Sequence, residues 1–258
     1  LVNIITDSFN KAGLPKNIIQ MIPTTEREAV DHLLAMNDYV NVIIPRGGKS
    51  LINKINEKSK IPVIKHLEGL CHIYVDKEAN IEVAKKVIFN SKLRRPEICG
   101  ATETLLIDSA IKEKSHELLL PLYEAGCEIK GDEFIQSLDM NFNAATEEDW
   151  LIEYLDKIIS VKIVNGVQEA ITHINKYSSN HTESIITENE QTFKDFYNNI
   201  DSAIILNNAS TQYADGGEFG FGAEVGISTS KLHPRGPIGV DQLTTYKYIL
   251  EGKGQIRK

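Results

Sequence analysis

The sequence predicts a layered α/β protein, and two observations support that prediction. Apolar runs of strand length alternate with amphipathic runs of helix length along most of the 258 residues. The composition, with 41% hydrophobic and 25% charged residues, is ordinary for a globular protein and supplies enough apolar side chains for a sizeable core. An α/β fold with one or two domains is therefore expected.

The pattern in residues 1–68 predicts alternating helices and strands. A helix is expected from Val2 to Gly13, and Thr25 with Glu28 forms a capping box for a second helix. The other predicted elements are strands at 17–23, 40–45 and 61–67 and a helix at 49–59. This βαβαβ spacing is typical of a doubly wound nucleotide-binding sheet. The turn residues around Gly69 indicate a domain boundary after residue 68.

A second α/β layer is predicted from residue 69 to residue 239. Its strands are expected at 71–76, 102–108, 160–164, 182–187 and 202–208, and its helices at 80–93, 112–126, 167–175 and 190–200. From Ala209 to Gly239 the chain is rich in glycine, and interleaved apolar residues favour an ordered functional loop. The last segment, 240–258, contains "LTTYKYIL", whose alternation predicts an edge strand that could pair with another subunit.

Charge and cysteine usage narrow the range of partners. The formal net charge is −8, and the basic residues are scattered, which argues against nucleic acid or an anionic membrane as a partner. No apolar run approaches the roughly 18 to 20 residues of a membrane span, and no signal-peptide pattern is found, so a cytoplasmic location is expected. Three cysteines at wide spacings indicate neither a disulfide framework nor a zinc site. Small metabolites or other proteins are the expected partners.

The stretch "VNVIIPRGGKSLI" is a candidate phosphate-binding turn. Arg46, Gly47, Gly48 and Lys49 join a predicted strand to a predicted helix, so backbone N–H groups and two cationic side chains could face an anion. The stretch matches neither the G-x-G-x-x-G nor the Walker pattern. A tight turn that simply requires glycine is an equal alternative.

Cys99 is the candidate nucleophile among the three cysteines. It lies in a connection between a predicted helix and a predicted strand, where a substrate could reach it, and the neighbouring Arg94 and Arg95 would favour a thiolate. A buried, inert cysteine remains the alternative. Cys71, by contrast, has the pattern of a strand residue, and Cys127 that of a structural residue at a helix end. A pairing of a cysteine with His72 or His233 stays open.

Seven segments, in order along the whole chain, resemble one known family. They are "IIPRGGKSLI", "CHIYVD", "RPEICGATETLLID", "ATEEDWLIEYLD", "SAIILNNAST", "DGGEFGFGAEVGISTSKLHPRGPIG" and "LTTYKYILEGKGQIR". The family is glutamate-5-semialdehyde dehydrogenase, also called gamma-glutamyl phosphate reductase, a branch of the aldehyde dehydrogenase superfamily. The resemblance implies an α/β, aldehyde dehydrogenase-like fold. It would have a partial Rossmann-type NADP-binding domain at 1–68, an α/β catalytic domain with a glycine-rich substrate loop at 69–239, and a C-terminal oligomerisation strand and tail at 240–258.

The resemblance also implies a reaction and its residues. The family reduces L-glutamate 5-phosphate with NADPH to L-glutamate 5-semialdehyde and phosphate, in proline biosynthesis, through a cysteine thioester; it uses no metal and forms homo-oligomers through the C-terminal strand. The nucleophile maps onto Cys99, and the glutamate that holds the nicotinamide ribose maps onto Glu153. The cofactor phosphates are expected at Arg46, Gly47, Gly48 and Lys49. The substrate is expected at Asn208, Ser210, Thr211 and Arg235.

The sequence departs from the family in two ways. Gly100 stands where asparagine is usual and Gln212 where arginine is usual, while Arg94 and Pro234 replace glutamine and alanine. The chain also corresponds to the C-terminal three-fifths or so of the family and is expected to be truncated at its N-terminus. The alternative to an active reductase is therefore a catalytically inactive split-gene fragment, or a pseudoenzyme that acts only by association with a separate N-terminal half.

Overall fold

The structure is a computed structural model. It describes residues 1–65 and 68–257, without the side chain of Lys49. The chain divides into two compact units, Leu1–Val63 and Ile64–Lys258, and each is described by itself. This division falls a few residues before the boundary that the turn residues predict. No helix in the described part of the chain is long and apolar enough to span a bilayer.

The regular structure of the first unit consists mostly of helices. Its helices are α1 (Val2–Lys11), α2 (Glu28–Leu33) and α3 (Lys49–Lys58). The strand predicted at 17–23 is absent, and those predicted at 40–45 and 61–67 are reduced to one parallel bridge between Ile43 and Val63. The prediction of regular strands is thus wrong here, and His66 and Leu67 lie outside the described residues. An apolar run becomes a strand only where neighbouring strands accept its backbone hydrogen bonds, and here one bridge is all that forms.

The second unit contains a seven-stranded, all-parallel sheet in the order β4-β3-β5-β2-β1-β6-β7. Its strands are β1 (Cys71–Val75), β2 (Thr102–Asp108), β3 (Glu128–Gly131), β4 (Asn143–Ala144), β5 (Ile158–Val164), β6 (Thr182–Ile186) and β7 (Ile204–Asn207). Its helices are α4 (Ile81–Leu93), α5 (Ser115–Glu124), α6 (Glu133–Gln136), α7 (Gly166–Tyr177) and α8 (Glu190–Asn199). The predicted strands and helices of this unit are confirmed, while β3, β4 and α6 were not predicted.

Helices cover both faces of this sheet. Successive strand residues point to opposite faces, so Ile73 and Leu105 pack with α4 and α5, whereas Tyr74 and Leu106 pack with α7 and α8. Every residue of β1, β2 and β6 is buried, so these strands show no alternation of buried and exposed positions. These three adjacent strands therefore form the buried centre of the sheet.

The glycine-rich segment and the C-terminus contain little regular structure. The segment carries a short antiparallel pair, β8 (Ile227–Ser228) with β9 (Gly236–Pro237). Beyond the 3-10 turn Asp241–Leu243, the described residues of this single chain form no helix or strand. Tyr246 and Tyr248 are 79% and 89% exposed there. The predicted edge strand is thus unpaired in one chain, and its pairing with a second subunit stays a prediction.

Candidate active site

Cys99 lies in the turn between α4 and β2, as the sequence predicts. The turn is closed by the Ala101 N–H, which donates to the Ile98 carbonyl at 2.9 Å, and β2 begins at Thr102. Cys99 is partly exposed, whereas Cys71 and Cys127 are buried. Burial raises the pKa of the Cys127 thiol to about 12 and that of the Cys71 thiol well above its ordinary value. Cys99 is therefore the most accessible of the three cysteines.

Cys99 opens into a cleft of about 470 Å³. The cleft lies between the C-terminal end of α4, the Cys99 turn and the start of the glycine-rich segment, and we call it the Cys99 cleft. The basic side chains that line it are Arg94 and Arg95, and the acidic ones are Asp215, Glu218 and Glu224. A cleft that carries charges of both signs next to a thiol suits a small ligand that itself carries both charges.

Gln212 organises one wall of the Cys99 cleft. Its Nε2 donates to the Ser91 carbonyl at 2.9 Å and to the Arg95 carbonyl at 3.2 Å, and its Oε1 accepts from Arg94 at 3.5 Å. Ser210 caps the 3-10 turn that contains Gln212, because its Oγ accepts from the Gln212 N–H at 3.2 Å. The amide thus joins the C-terminal end of α4 to the glycine-rich segment and holds the Arg94 side chain.

Of the four predicted substrate residues, only Ser210 lines the Cys99 cleft. The Asn208 side chain bonds to the backbone of Thr187 at 3.0 and 2.9 Å, and the buried Thr211 hydroxyl lies 2.9 Å from that of Thr102. Arg235 binds Asp201, with its Nη1 2.7 Å from the carboxylate. These three side chains are occupied in holding the fold, and Arg235 is not among the residues that line the cleft.

Glu153 precedes β5 and is partly buried. Its Oε1 accepts the Gly69 N–H at 2.8 Å, the only hydrogen bond to this carboxylate among the described residues. Burial raises the pKa of Glu153, the Gly69 N–H opposes that effect, and the negative charge of Glu68 adds to it. The second carboxylate oxygen could accept a ribose hydroxyl, so the residue fits the role that the sequence resemblance implies.

A buried ion pair behind the Cys99 turn escaped the sequence analysis. Lys92 on α4 is fully buried and its Nζ lies 2.6 Å from Oε2 of Glu103 on β2. Burial raises the pKa of Glu103 to about 7, although Lys92 opposes this shift. The signal was available, since a lysine on the inner face of a helix and a glutamate inside an apolar strand each need a partner.

The predicted phosphate-binding turn belongs to the first unit. Gly48 is the N-cap of α3 and supplies no side-chain cap, while Gly47 has a φ of 151°, in the region that favours glycine. A cavity of about 500 Å³ adjoins this helix end and is lined in part by Arg27, Ser50 and Lys54. Uncapped N–H groups beside a cavity with cationic side chains fit a phosphate group.

No metal site and no pairing of His72 with a cysteine is found in the described part of the chain. No group of three or more His, Cys, Asp or Glu side chains is placed to hold an ion. His72 is buried and its Nδ1 lies 3.0 Å from Oε2 of Glu183. Cys71 instead contacts His181, whose Nδ1 is 3.5 Å from the Cys71 sulfur.

The sequence of this chain is similar to a known family and to named relatives. A model of the aldehyde dehydrogenase family matches residues 2–134. A relative from Bartonella bacilliformis, named gamma-glutamyl phosphate reductase, is 56% identical over 250 residues, which cover 96% of this chain and 61% of the relative. A relative of the same name from Paramagnetospirillum magneticum is 51% identical over 259 residues, or 100% of this chain and 61% of the relative. The chain therefore spans about three fifths of the length of these curated relatives.

Two solved structures resemble the structure of this chain. The crystal structure of gamma-glutamyl phosphate reductase from Thermotoga maritima matches with a TM-score of 0.95 and 41% identity, over 100% of this chain and 62% of that one. An acetylating aldehyde dehydrogenase from Geobacillus thermoglucosidasius matches with a TM-score of 0.74 and 20% identity, over 100% of this chain and 66% of that one. The second likeness concerns the fold alone.

Proposed function

This chain belongs to the aldehyde dehydrogenase family and has its fold, and from that premise we propose that it serves in the NADPH-dependent reduction of L-glutamate 5-phosphate. The products are L-glutamate 5-semialdehyde and phosphate, in proline biosynthesis. The observation that carries the proposal is the accessible Cys99 thiol at a cleft lined by charges of both signs. The names of the Bartonella and Thermotoga proteins support the choice of substrate.

The proposed chemistry begins at the Cys99 sulfur. The thiolate attacks the acyl carbon of the substrate, the bond from that carbon to the phosphate oxygen breaks, and phosphate leaves with the electron pair. A thioester remains on Cys99. The Cys99 backbone N–H is expected to donate to the oxygen on which negative charge develops. When the aldehyde is released, the carbon–sulfur bond breaks and Cys99 returns as a thiolate.

The substrate-binding groups follow from the charges of the Cys99 cleft. An anionic acyl phosphate with an α-carboxylate suits the guanidinium groups of Arg94 and Arg95, and its α-ammonium suits the carboxylates. Ser210 adds a hydroxyl at the same wall. We assign Asn208 and Thr211 to holding that wall in place. A direct contact from Arg235 to the substrate stays a prediction, and it requires release from Asp201.

NADPH is the proposed cofactor, and it would supply the hydride that reduces the thioester. The turn formed by Arg46, Gly47, Gly48 and Lys49 would hold its phosphates, since the start of α3 is uncapped. Glu153 would accept a hydrogen bond from the nicotinamide ribose. A bound ribose with its hydroxyls beyond roughly 3.5 Å from the Glu153 carboxylate would remove that assignment.

Selective alkylation tests the nucleophile. We expect iodoacetamide to label Cys99 in the folded chain faster than Cys71 or Cys127, because both of these are buried and their thiol pKa values are raised. Peptide mass spectrometry would give the three rates. Equal labelling of all three cysteines in the folded chain would contradict an accessible nucleophile.

A second candidate function is a chain that is silent alone and acts only through association with another polypeptide. The single bridge between Ile43 and Val63 favours it, because a nucleotide-binding sheet needs several paired strands to hold a dinucleotide. The two candidates differ in one assay, the reduction of NADP with glutamate 5-semialdehyde and phosphate. Turnover that Cys99→Ser abolishes, with or without an added polypeptide, supports the reductase chemistry, and turnover that appears only with an added polypeptide shows that the chain acts by association.

A further inference from the structure

The backbone at Gly69 lies directly against the peptide of Cys99. A Cβ atom placed on Gly69 would fall 1.9 Å from the Cys99 carbonyl oxygen and 2.6 Å from the Cys99 Cα. Real Cβ atoms do not approach other heavy atoms that closely, so only glycine fits at this point. The parallel register of β1 and β2 explains the contact, because Cys71 pairs with Thr102 and the preceding residues of both strands meet just before them.

Side chains from separate parts of the fold hold this segment, residues 69–71, in place. The Gly69 N–H donates to Oε1 of Glu153 at 2.8 Å, and the Leu70 N–H donates to Oγ of Ser179 at 2.9 Å. The third contact reaches Cys99 itself, since the Cys71 thiol donates to the Cys99 carbonyl at 3.2 Å. The raised pKa of Cys71 keeps its thiol protonated and able to donate.

We propose that Glu153 is a positioning residue for the nucleophile: its carboxylate fixes Gly69, and Gly69 fixes the Cys99 peptide against which it packs. The direction of the Cys99 sulfur and of its backbone N–H depends on that peptide. This role requires a hydrogen-bond acceptor at position 153. It does not depend on a bound cofactor. It rests on Cys99 as the reactive thiol of the proposed function, and it adds to the contact with the ribose proposed for Glu153.

The test measures Cys99 reactivity without substrate or cofactor. The rate constant for iodoacetamide at Cys99 is determined from pH 6 to pH 10 in the folded chain and in the urea-unfolded chain. The variants are Glu153→Leu, which keeps the volume without an acceptor, and Glu153→Gln, whose amide oxygen still accepts from Gly69. Glu169→Ala is the matched control, because Glu169 also accepts a backbone N–H, from Asn165 at 2.8 Å, but on α7.

We expect the folded parent to differ from the unfolded chain in its pH–rate profile. Glu153→Leu should move that profile by about tenfold in rate toward the unfolded chain, because the Gly69 N–H loses its acceptor. Glu153→Gln and Glu169→Ala should retain the parent profile. If Glu153→Leu does not fold, judged by its thermal transition, Glu153→Ala takes its place, and Gly69 amide exchange is compared between the parent and Glu153→Gln.

Three results would overturn the inference. These are a parent profile equal to that of the unfolded chain, a folded Glu153→Leu or Glu153→Ala with the parent profile, and Gly69 amide exchange in the parent as fast as in an unstructured peptide. None of them depends on reductase activity. If instead the labelling follows the expectation while NADP is not reduced even when the part of a relative that this chain does not cover is supplied, the proposed function fails and the positioning role of Glu153 stands.

Discussion

The guanidinium of Arg94 is held at the Cys99 cleft by a side chain that lies 118 residues further along the chain. Gln212 uses both of its amide hydrogens on backbone carbonyls of residues 91 and 95, and its oxygen is then directed at Arg94. Arg94 is otherwise exposed to solvent. The Arg94 guanidinium therefore lies at the cleft, where it is available to bind an anion.

Two arginine variants distinguish the possible anchors of the substrate carboxylate. We expect Arg94→Ala to raise about tenfold the concentration of L-glutamate plus phosphate that half-protects Cys99 from iodoacetamide, because a charge-assisted hydrogen bond is lost. Arg235→Ala should leave that concentration unchanged, since Asp201 already engages the Arg235 guanidinium. The sequence resemblance instead predicts that Arg235→Ala weakens substrate binding. Loss of protection in Arg235→Ala alone would therefore favour the resemblance over the geometry.

The junction of β1 with α7 contains a buried aromatic cluster. The His173 ring on α7 lies 4.6 Å from that of Tyr177 and 5.1 Å from that of Trp150, and the His72 ring on β1 lies 5.8 Å away. Burial lowers the pKa of His173 to about 3, and the nearby positive charges add to the shift. Its Nε2 makes no hydrogen bond within the part of the chain that the structure describes. The cluster thus packs as an apolar unit while His173 is neutral.

The neutral His173 makes the stability of the second unit depend on pH. The unfolded chain takes up a proton at the ordinary pKa of 6.5, whereas the folded chain resists protonation down to about 3. The contribution of His173 to the unfolding free energy is therefore present above pH 6.5 and is lost as pH falls from 6.5 toward 3.

Urea unfolding of the parent and of His173→Phe tests this dependence. We expect the stability of the parent relative to the variant to fall by at most about 1.4 kcal/mol per pH unit below 6.5. The comparison cancels the titration of carboxylates shared by both chains. His116→Phe, at an exposed histidine of α5, is the control for removal of a histidine. A difference between parent and His173→Phe that is constant from pH 7 to pH 4.5 would contradict the buried neutral state.

At the scale of the whole molecule, the two units differ in how much of the predicted sheet they contain. The second unit has seven hydrogen-bonded parallel strands, while the first has one bridge beside its three helices. Hydride transfer requires the cofactor to be held in an accurate position against the substrate. A misplacement of about 1 Å can cost on the order of a hundredfold in rate. A cofactor-binding unit with so little sheet is not expected to hold that geometry alone.

Cofactor affinity and turnover test this expectation directly. We expect the 258-residue chain alone to bind NADPH weakly in a fluorescence titration and to show no measurable reductase turnover. Both should rise when the part of a relative that this chain does not cover is supplied as a separate polypeptide. An unrelated polypeptide of equal length is the control. Robust turnover by the chain alone would show that the strands of the second unit suffice.

Local pattern was sufficient for the helices and central strands of the second unit and for the place of Cys99 in the turn between α4 and β2. Strands buried on both faces contain consecutive apolar residues, as in the "IYV" of β1 and the "LLI" of β2, and amphipathic helices retain their period whatever they pack against. The exposure of Cys99 was predictable because it lies in a connection rather than on an apolar face. Each of these features depends on residues close together in the chain.

Contacts between distant residues were decided only by the tertiary structure. The pairing of Arg235 with Asp201, the bond from Glu153 to Gly69 and the approach of Gly69 to Cys99 each join residues about 30 or more positions apart. They follow from strand register and from the path of irregular loops, which a periodic pattern does not specify. The same reason explains why the strands predicted at 40–45 and 61–67 are reduced to one bridge. Strand formation depends on the partner that accepts the hydrogen bonds and not on the apolar run itself.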